Sequence, residues 1–106
     1  QLLKDRIIEA KSHDNLEVFS AGVKFAKAEG IVPAPEATHG IATAIHEAEI
    51  CKKEGKSKTI LINLCGHGNY DMKAYEDYFD GKIVKHELSD EEIKSSLDKL
   101  QTPTIP

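Results

Sequence analysis

Apolar residues recur at helical intervals in two stretches of the chain, and a third stretch is apolar almost without a break. Leu16, Phe19, Val23 and Ala26 follow one another at steps of three and four. Asp14 and Glu17 ahead of them form a partial capping pair, Lys24 and Lys27 sit near the end, and Gly30 supplies a stop. The pattern predicts a helix over 14–28. Ile41, Ala44, Ile45, Ala48 and Cys51 predict a second amphipathic helix from Glu36 to about Lys53, with a sheet as its partner. Between the two, Pro33 and Pro35 keep the IVPAP connection extended, because each ring fixes φ and disfavours helix in the residue before it. In KTILINLC, Lys58 to Cys65, every residue after Thr59 is apolar except Asn63, which reads as a fully buried strand.

The remaining chain is patterned more weakly. Residues 1–11 fit a helical face through Leu2, Leu3, Ile7 and Ile8, or a short strand around Arg6 to Glu9. Met72 to Phe79 suggests a short helix, and Lys82 to Leu88 alternates like an edge strand. Ser89 and Glu92 form a capping box ahead of Ile93, Leu97 and Leu100, and Thr102 to Pro106 is a tail. Helix, short loop and buried strand make half a crossover unit. The expected class is therefore α/β, a three-layer arrangement with a parallel sheet flanked by helices, and 106 residues suffice for one domain over 1–106.

Charge narrows the function classes. The net charge is −4, with 14 Lys and Arg interleaved among 18 Asp and Glu, so no basic face for nucleic acid stands out. No apolar run approaches the roughly 20 residues needed to cross a bilayer. Cys51 and Cys65 form no CxxC unit, which leaves a reducing cytoplasm as the simpler setting. The opening on Gln1 directly into LLKDRIIEA suggests a processed product, an engineered stretch or a piece of something longer.

Several suggestive groups have plain explanations. His39 and His46 lie about 10 Å apart along one helix, too far to share a metal ion. Gly55, Lys56 and Ser57 imitate a P-loop, yet Ile50 occupies the place of its first glycine and the triplet precedes its strand. Asp90, Glu91 and Glu92 suit the positive end of a helix. Cys51 lies on an apolar helix face and is assigned to the core. Chemistry is expected instead at the end of the apolar run, where Cys65 gives way to the turn Gly66, His67, Gly68, because ligands of α/β proteins sit beyond the carboxyl ends of strands. A small buried thiol is the alternative for Cys65.

Two segments carry a resemblance. EGIVPAPEATHGI, Glu29 to Ile41, is close to the pattern EGIxPAxExxHA, and INLCGHGNYDMKAY, Ile62 to Tyr75, is close to NLSGHGxxDxxAY. Both patterns, at this separation, belong to the β chain of tryptophan synthase. His67 marks its divergent second type, since ordinary β chains have Arg there. Weaker similarity continues through Gly81 to Leu100, so the resemblance covers nearly the whole chain.

The resemblance implies the C-terminal segment of a longer, pyridoxal 5'-phosphate-dependent lyase of fold type II that makes tryptophan from indole and serine or phosphoserine. It implies that Cys65 takes the place of a hydroxyl residue facing the pyridine nitrogen, with Gly66 beside the ring. Glu29 and Gly30 are expected near the cofactor, and His39 and His67 near the substrate pocket. For His39 a role at its helix start stands beside this, and for His67 an ordering of the loop through Asp71. A neutral partner at the ring nitrogen leaves it largely unprotonated, which favours β-elimination and replacement over transamination. Cys65 departs from the usual Ser, and a thiol is the weaker, longer hydrogen-bond partner and can ionise.

The family's Schiff-base Lys, its glycine-rich phosphate cup and its acid–base Glu have no counterpart in this sequence. The 106-residue chain alone is therefore expected to be inactive, with a homodimer expected of the whole enzyme and self-association of the segment. Two other readings remain: a free-standing, non-catalytic α/β binding module, and a serine or threonine dehydratase on the same scaffold, which Cys65 mildly favours.

Overall fold

The computed structural model describes residues 1–85 and 89–99. Its order is α1 (Asn15–Glu29), α2 (Pro35–Glu54), a 3-10 turn (Gly68–Tyr70), α3 (Met72–Phe79) and α4 (Asp90–Asp98). The Asp14 carboxylate accepts from the Glu17 backbone N–H and starts α1; Gly30, in the left-handed region at φ 72°, ends it by donating its N–H to the Ala26 carbonyl. Pro35 opens α2 at a position where a missing N–H costs nothing, and Gly55 at φ 64° closes it. These bounds agree with the sequence reading to within about a residue.

Among the described residues α2 packs chiefly on α1, and the expected sheet is not shown. Val18, Phe19, Ala21 and Gly22 of α1 are buried, as are Ala37, Thr38, Ile41 and Ala42 of α2. Small residues on both sides let the two backbones come close, and full burial of a side chain such as Ile41 contributes roughly 1.5–3 kcal/mol. Cys51 is buried at the far end of α2. Leu16 and Ala48, placed on the apolar faces by spacing, are exposed instead; on α1 the buried stripe runs through Val18, Phe19, Ala21 and Gly22.

The run from Lys58 to Cys65 is not a buried strand. Among the described residues there is no strand, and the one ladder-type contact is an isolated bridge between Pro33 and His67. Ile62 and Leu64 pack against the cluster of Ala21, Ile41 and Ala42, whereas Leu61 is 95% exposed. The chain thus alternates inward and outward with the period of two of an extended segment, one face on the helices and one open. A strand needs at least one neighbouring strand to pair with, and the described residues supply none, so they form a helical assembly with one extended run across it.

The smaller elements divide. α3 forms as expected, and α4 begins with the expected capping box, Ser89 Oγ accepting from the Glu92 N–H while the Glu92 carboxylate accepts from the Ser89 N–H. Ile93 and Leu97 are exposed, however, and α4 buries none of its described residues. Lys82 to Lys85 form no strand, and the rest of that predicted edge, together with Leu100 and the tail, lies outside the described residues.

The first eleven residues form neither a helix nor a strand: residues 2–8 are turns and bends, with Arg6 at φ 55°, and 9–11 are irregular. Their junction with α1 is tied down: Lys11 pairs with Glu47 of α2, and the His13 ring lies 3.0 Å from a Glu17 carboxylate oxygen and 2.8 Å from Thr43 Oγ1. No helix among the described residues is long and apolar enough to cross a membrane.

Candidate functional site

The site is built where two connections cross. Pro33 and His67 face each other as an antiparallel pair, flanked by two hydrogen bonds: Ala34 N–H to the Gly66 carbonyl at 3.0 Å, and Gly68 N–H to the Val32 carbonyl at 2.7 Å. That is the non-hydrogen-bonded type of pair, in which the two central residues donate no N–H across the bridge. Proline fits there without loss, which explains how the ring of Pro33 can be fully buried inside a pairing segment. The close approach also dictates the glycines. A Cβ on Gly68 would lie 2.6 Å from the Pro33 carbonyl oxygen and 2.8 Å from Val32 Cγ1, and a Cβ on Gly66 would lie 3.0 Å from Ala34 Cβ.

Along the run the inner positions are Ile62, Leu64, Gly66 and Gly68, and the outer positions are Leu61, Asn63, Cys65 and His67. Cys65 and His67 therefore share the exposed row, two residues apart on one side of an extended backbone. Cys51 is buried, as its helix face required, and Cys65 is exposed. The His67 ring is fixed locally: its Nδ1 accepts from the Asn69 N–H at 3.3 Å, and the ring leans on Tyr70 at 5.6 Å between centroids. Asn69, and not the expected Asp71, is thus its ordering partner.

Beneath the crossing lies Tyr75. Its hydroxyl donates to the Pro33 carbonyl at 2.7 Å, in a buried bond from α3 to the connection. Burial pushes the phenol above its ordinary pKa; the Thr38 hydroxyl opposes this, and the Asp71 carboxylate adds to it. Phe19 meets the Tyr75 ring edge-on at 5.2 Å and stacks on Tyr78 at 5.5 Å, which fastens α3 to α1. Thr38, fully buried, donates its hydroxyl to the Ala34 carbonyl at 2.8 Å, so the start of α2 is held from within.

A tryptophan synthase beta chain 2 of Methanosarcina acetivorans is 51% identical over 84 residues, which are 79% of this chain and 19% of that protein. The beta chain 2 of Methanothermobacter thermautotrophicus is 50% identical over 82 residues, 77% of this chain and 19% of that one. That of Pyrococcus abyssi is 48% identical over 94 residues, 89% and 21% respectively. The chain matches a segment of the tryptophan synthase β chain of the second type. It spans about a fifth of the length of these curated relatives. No protein-family model matches it.

The residues picked out by the β-chain resemblance are distributed unevenly. Cys65, Gly66 and His67 stand together at the crossing. Glu29 and Gly30 are exposed at the end of α1, where the connection that carries Val32 to Ala34 begins. The Gly30 N–H is already used by the Ala26 carbonyl, so this glycine serves the helix end first. His39 is exposed in the second turn of α2, and its carbonyl accepts from Thr43 Oγ1 at 3.0 Å. Spacing did not single out Tyr75, Thr38 or Gly22, although an isolated glycine in the middle of a helical pattern is itself a signal of close packing. Among the described residues, no group of three or more His, Cys, Asp or Glu side chains could hold a metal ion.

Proposed function

We propose that this chain is the C-terminal segment of a tryptophan synthase β-type lyase and forms one wall of its pyridoxal-phosphate pocket. The observation that carries this reading is the exposed Cys65 at the end of an extended run, with Gly66 and His67 beside it on a crossing locked by Pro33. The donor set fits a wall of such a pocket. A thiol and an imidazole share one open row, while the inner side at Gly66 is closed by Ala34, which leaves the outward side for a flat ring.

Pyridoxal phosphate, when bound, supplies an electron sink for the amino-acid substrate. In this reading Cys65 faces the ring nitrogen as a weak neutral partner and so keeps a proton from residing there. Gly66 borders the ring, Glu29 and Gly30 border the pocket from the start of the connection, and His67 and His39 bound the space for substrate. The remainder of the enzyme holds the cofactor's phosphate and the lysine that binds it, and the extended run takes its strand neighbours from the same remainder. The whole enzyme acts on serine or phosphoserine and indole as a homodimer in the cytoplasm, and the 106-residue segment alone is inactive.

Two substitutions in the full-length protein test this. Cys65→Ser keeps or improves tryptophan formation from serine and indole, and Cys65→Asp shifts product toward transamination. If both leave rate and product ratio unchanged, Cys65 does not touch the cofactor and the reading fails. Product analysis with serine, with and without indole, separates a synthase from a dehydratase: a synthase forms tryptophan when indole is present, and a dehydratase forms pyruvate whether or not it is.

A further inference from the structure

The Tyr75 hydroxyl is the point where four parts of the fold are brought into register. It donates to the Pro33 carbonyl of the connection. A Cβ on Gly22 of α1 would lie 2.7 Å from it and 3.3 Å from Thr38 Oγ1 of α2, so α1 yields the space in which the hydroxyl sits. Tyr75 Cε2 lies 3.2 Å from where a Cβ on Gly68 would be, so the same ring also floors the turn beyond His67. Pro33 in turn faces His67, and the bonds on either side of that pair fix Gly66 and Gly68. A displacement of the Pro33 carbonyl therefore moves the short segment on which Cys65, Gly66 and His67 stand.

We propose that Tyr75 is a positioning residue, which acts through Pro33 to set where the Cys65–His67 row stands. Its consequence for catalysis rests on the pocket-wall reading; its consequence for the loop does not. The ring supplies packing, and the hydroxyl supplies register. Tyr75→Phe retains the first and removes the second, and it leaves a buried carbonyl without its donor.

The experiment has two arms in the full-length protein. The first measures amide hydrogen exchange in cofactor-free protein. Tyr75→Phe is expected to speed exchange at Ala34 and Gly68 by at least about tenfold while amides in the middle of α1 and α2 stay within about twofold. The second arm uses the loaded enzyme at a temperature where the variant is fully folded. The visible absorbance of the bound cofactor shifts and kcat falls about tenfold, with KM for serine changed less than about threefold. Equal acceleration of exchange across helices and loop overturns the proposal, because it marks Tyr75 as general support. Local acceleration with unchanged absorbance and kcat upholds the positioning of the row and removes its catalytic consequence, which counts against the pocket-wall reading instead.

Discussion

A Cβ placed on Gly22 would approach the Tyr75 hydroxyl oxygen to 2.7 Å, closer than any stable contact between such atoms. Gly22 sits inside α1, where alanine is ordinarily better by about 0.8–1.0 kcal/mol. Here the sign reverses. Gly22→Ala displaces the hydroxyl from the Pro33 carbonyl, and an unsatisfied buried acceptor costs about 1–3 kcal/mol. Urea unfolding of Gly22→Ala should show, in place of the usual gain, a net loss of up to about 2 kcal/mol by that balance. The double variant with Tyr75→Phe should lose much less than the sum of the two single changes. Strict additivity would mean that the two residues do not share this space.

Gly68 and Gly40 give opposite predictions for the same substitution. At Gly68 a Cβ meets backbone, the Pro33 carbonyl oxygen at 2.6 Å, which cannot swing aside as a side-chain tip can. Gly68→Ala is expected to break the Pro33–His67 pairing and destabilise by more than about 2 kcal/mol, the scale of a strained or overpacked site. At Gly40, within α2, a Cβ meets nothing within 4 Å. Gly40→Ala should stabilise by about 0.5–1 kcal/mol through backbone entropy. Thermal melts of the two variants check both signs at once.

Alkaline stability should report on Tyr75. Its folded pKa is raised, first by burial, so the folded state keeps the proton at pH values where the unfolded chain releases it. Below the unfolded value of about 10 the raised pKa leaves stability unchanged with pH. As pH climbs from there toward the raised folded value, the unfolded state binds fewer protons and stability falls. Denaturant midpoints measured from pH 8 to 11 should therefore decline at the alkaline end, and less steeply in Tyr75→Phe. Lys73 and Lys82, whose raised values come from exposed pairs with acidic neighbours, persist as a shallow slope in the variant.

The helices were legible because their signals are local. Asp14 with Glu17, Gly30, and Ser89 with Glu92 are caps whose partners lie within four residues, and all three act as their sequence positions require. The run ending at Cys65 was not legible in the same way. Apolar content says that a segment is covered, but not by what, and here Ile62 and Leu64 lie on helices while Leu61 is bare. The crossing was hidden for a different reason. Pro33 pairs with His67 across more than thirty residues, and the hydroxyl that satisfies Pro33 comes from Tyr75, 42 residues away. Neither separation leaves a periodic trace.

The two cysteines should differ sharply toward a thiol reagent. Cys51 is buried on α2, with 8% exposure, whereas Cys65 stands on the open row beside His67. Reaction requires access as well as thiolate, so Cys51 is expected to label only when the fold opens. In the full-length protein without cofactor, Cys65 should react first, and peptide mapping should find the label there. Addition of pyridoxal phosphate should then slow its labelling by about tenfold or more, as ligand occupancy suppresses the reactive open population, while Cys51 stays unlabelled in both states. Protection of neither residue would show that the thiol at 65 stands apart from the bound cofactor. Early labelling of Cys51 would place the α1–α2 contact among the first parts of the fold to open, against the burial of Ala21, Ile41 and Ala42 at its centre.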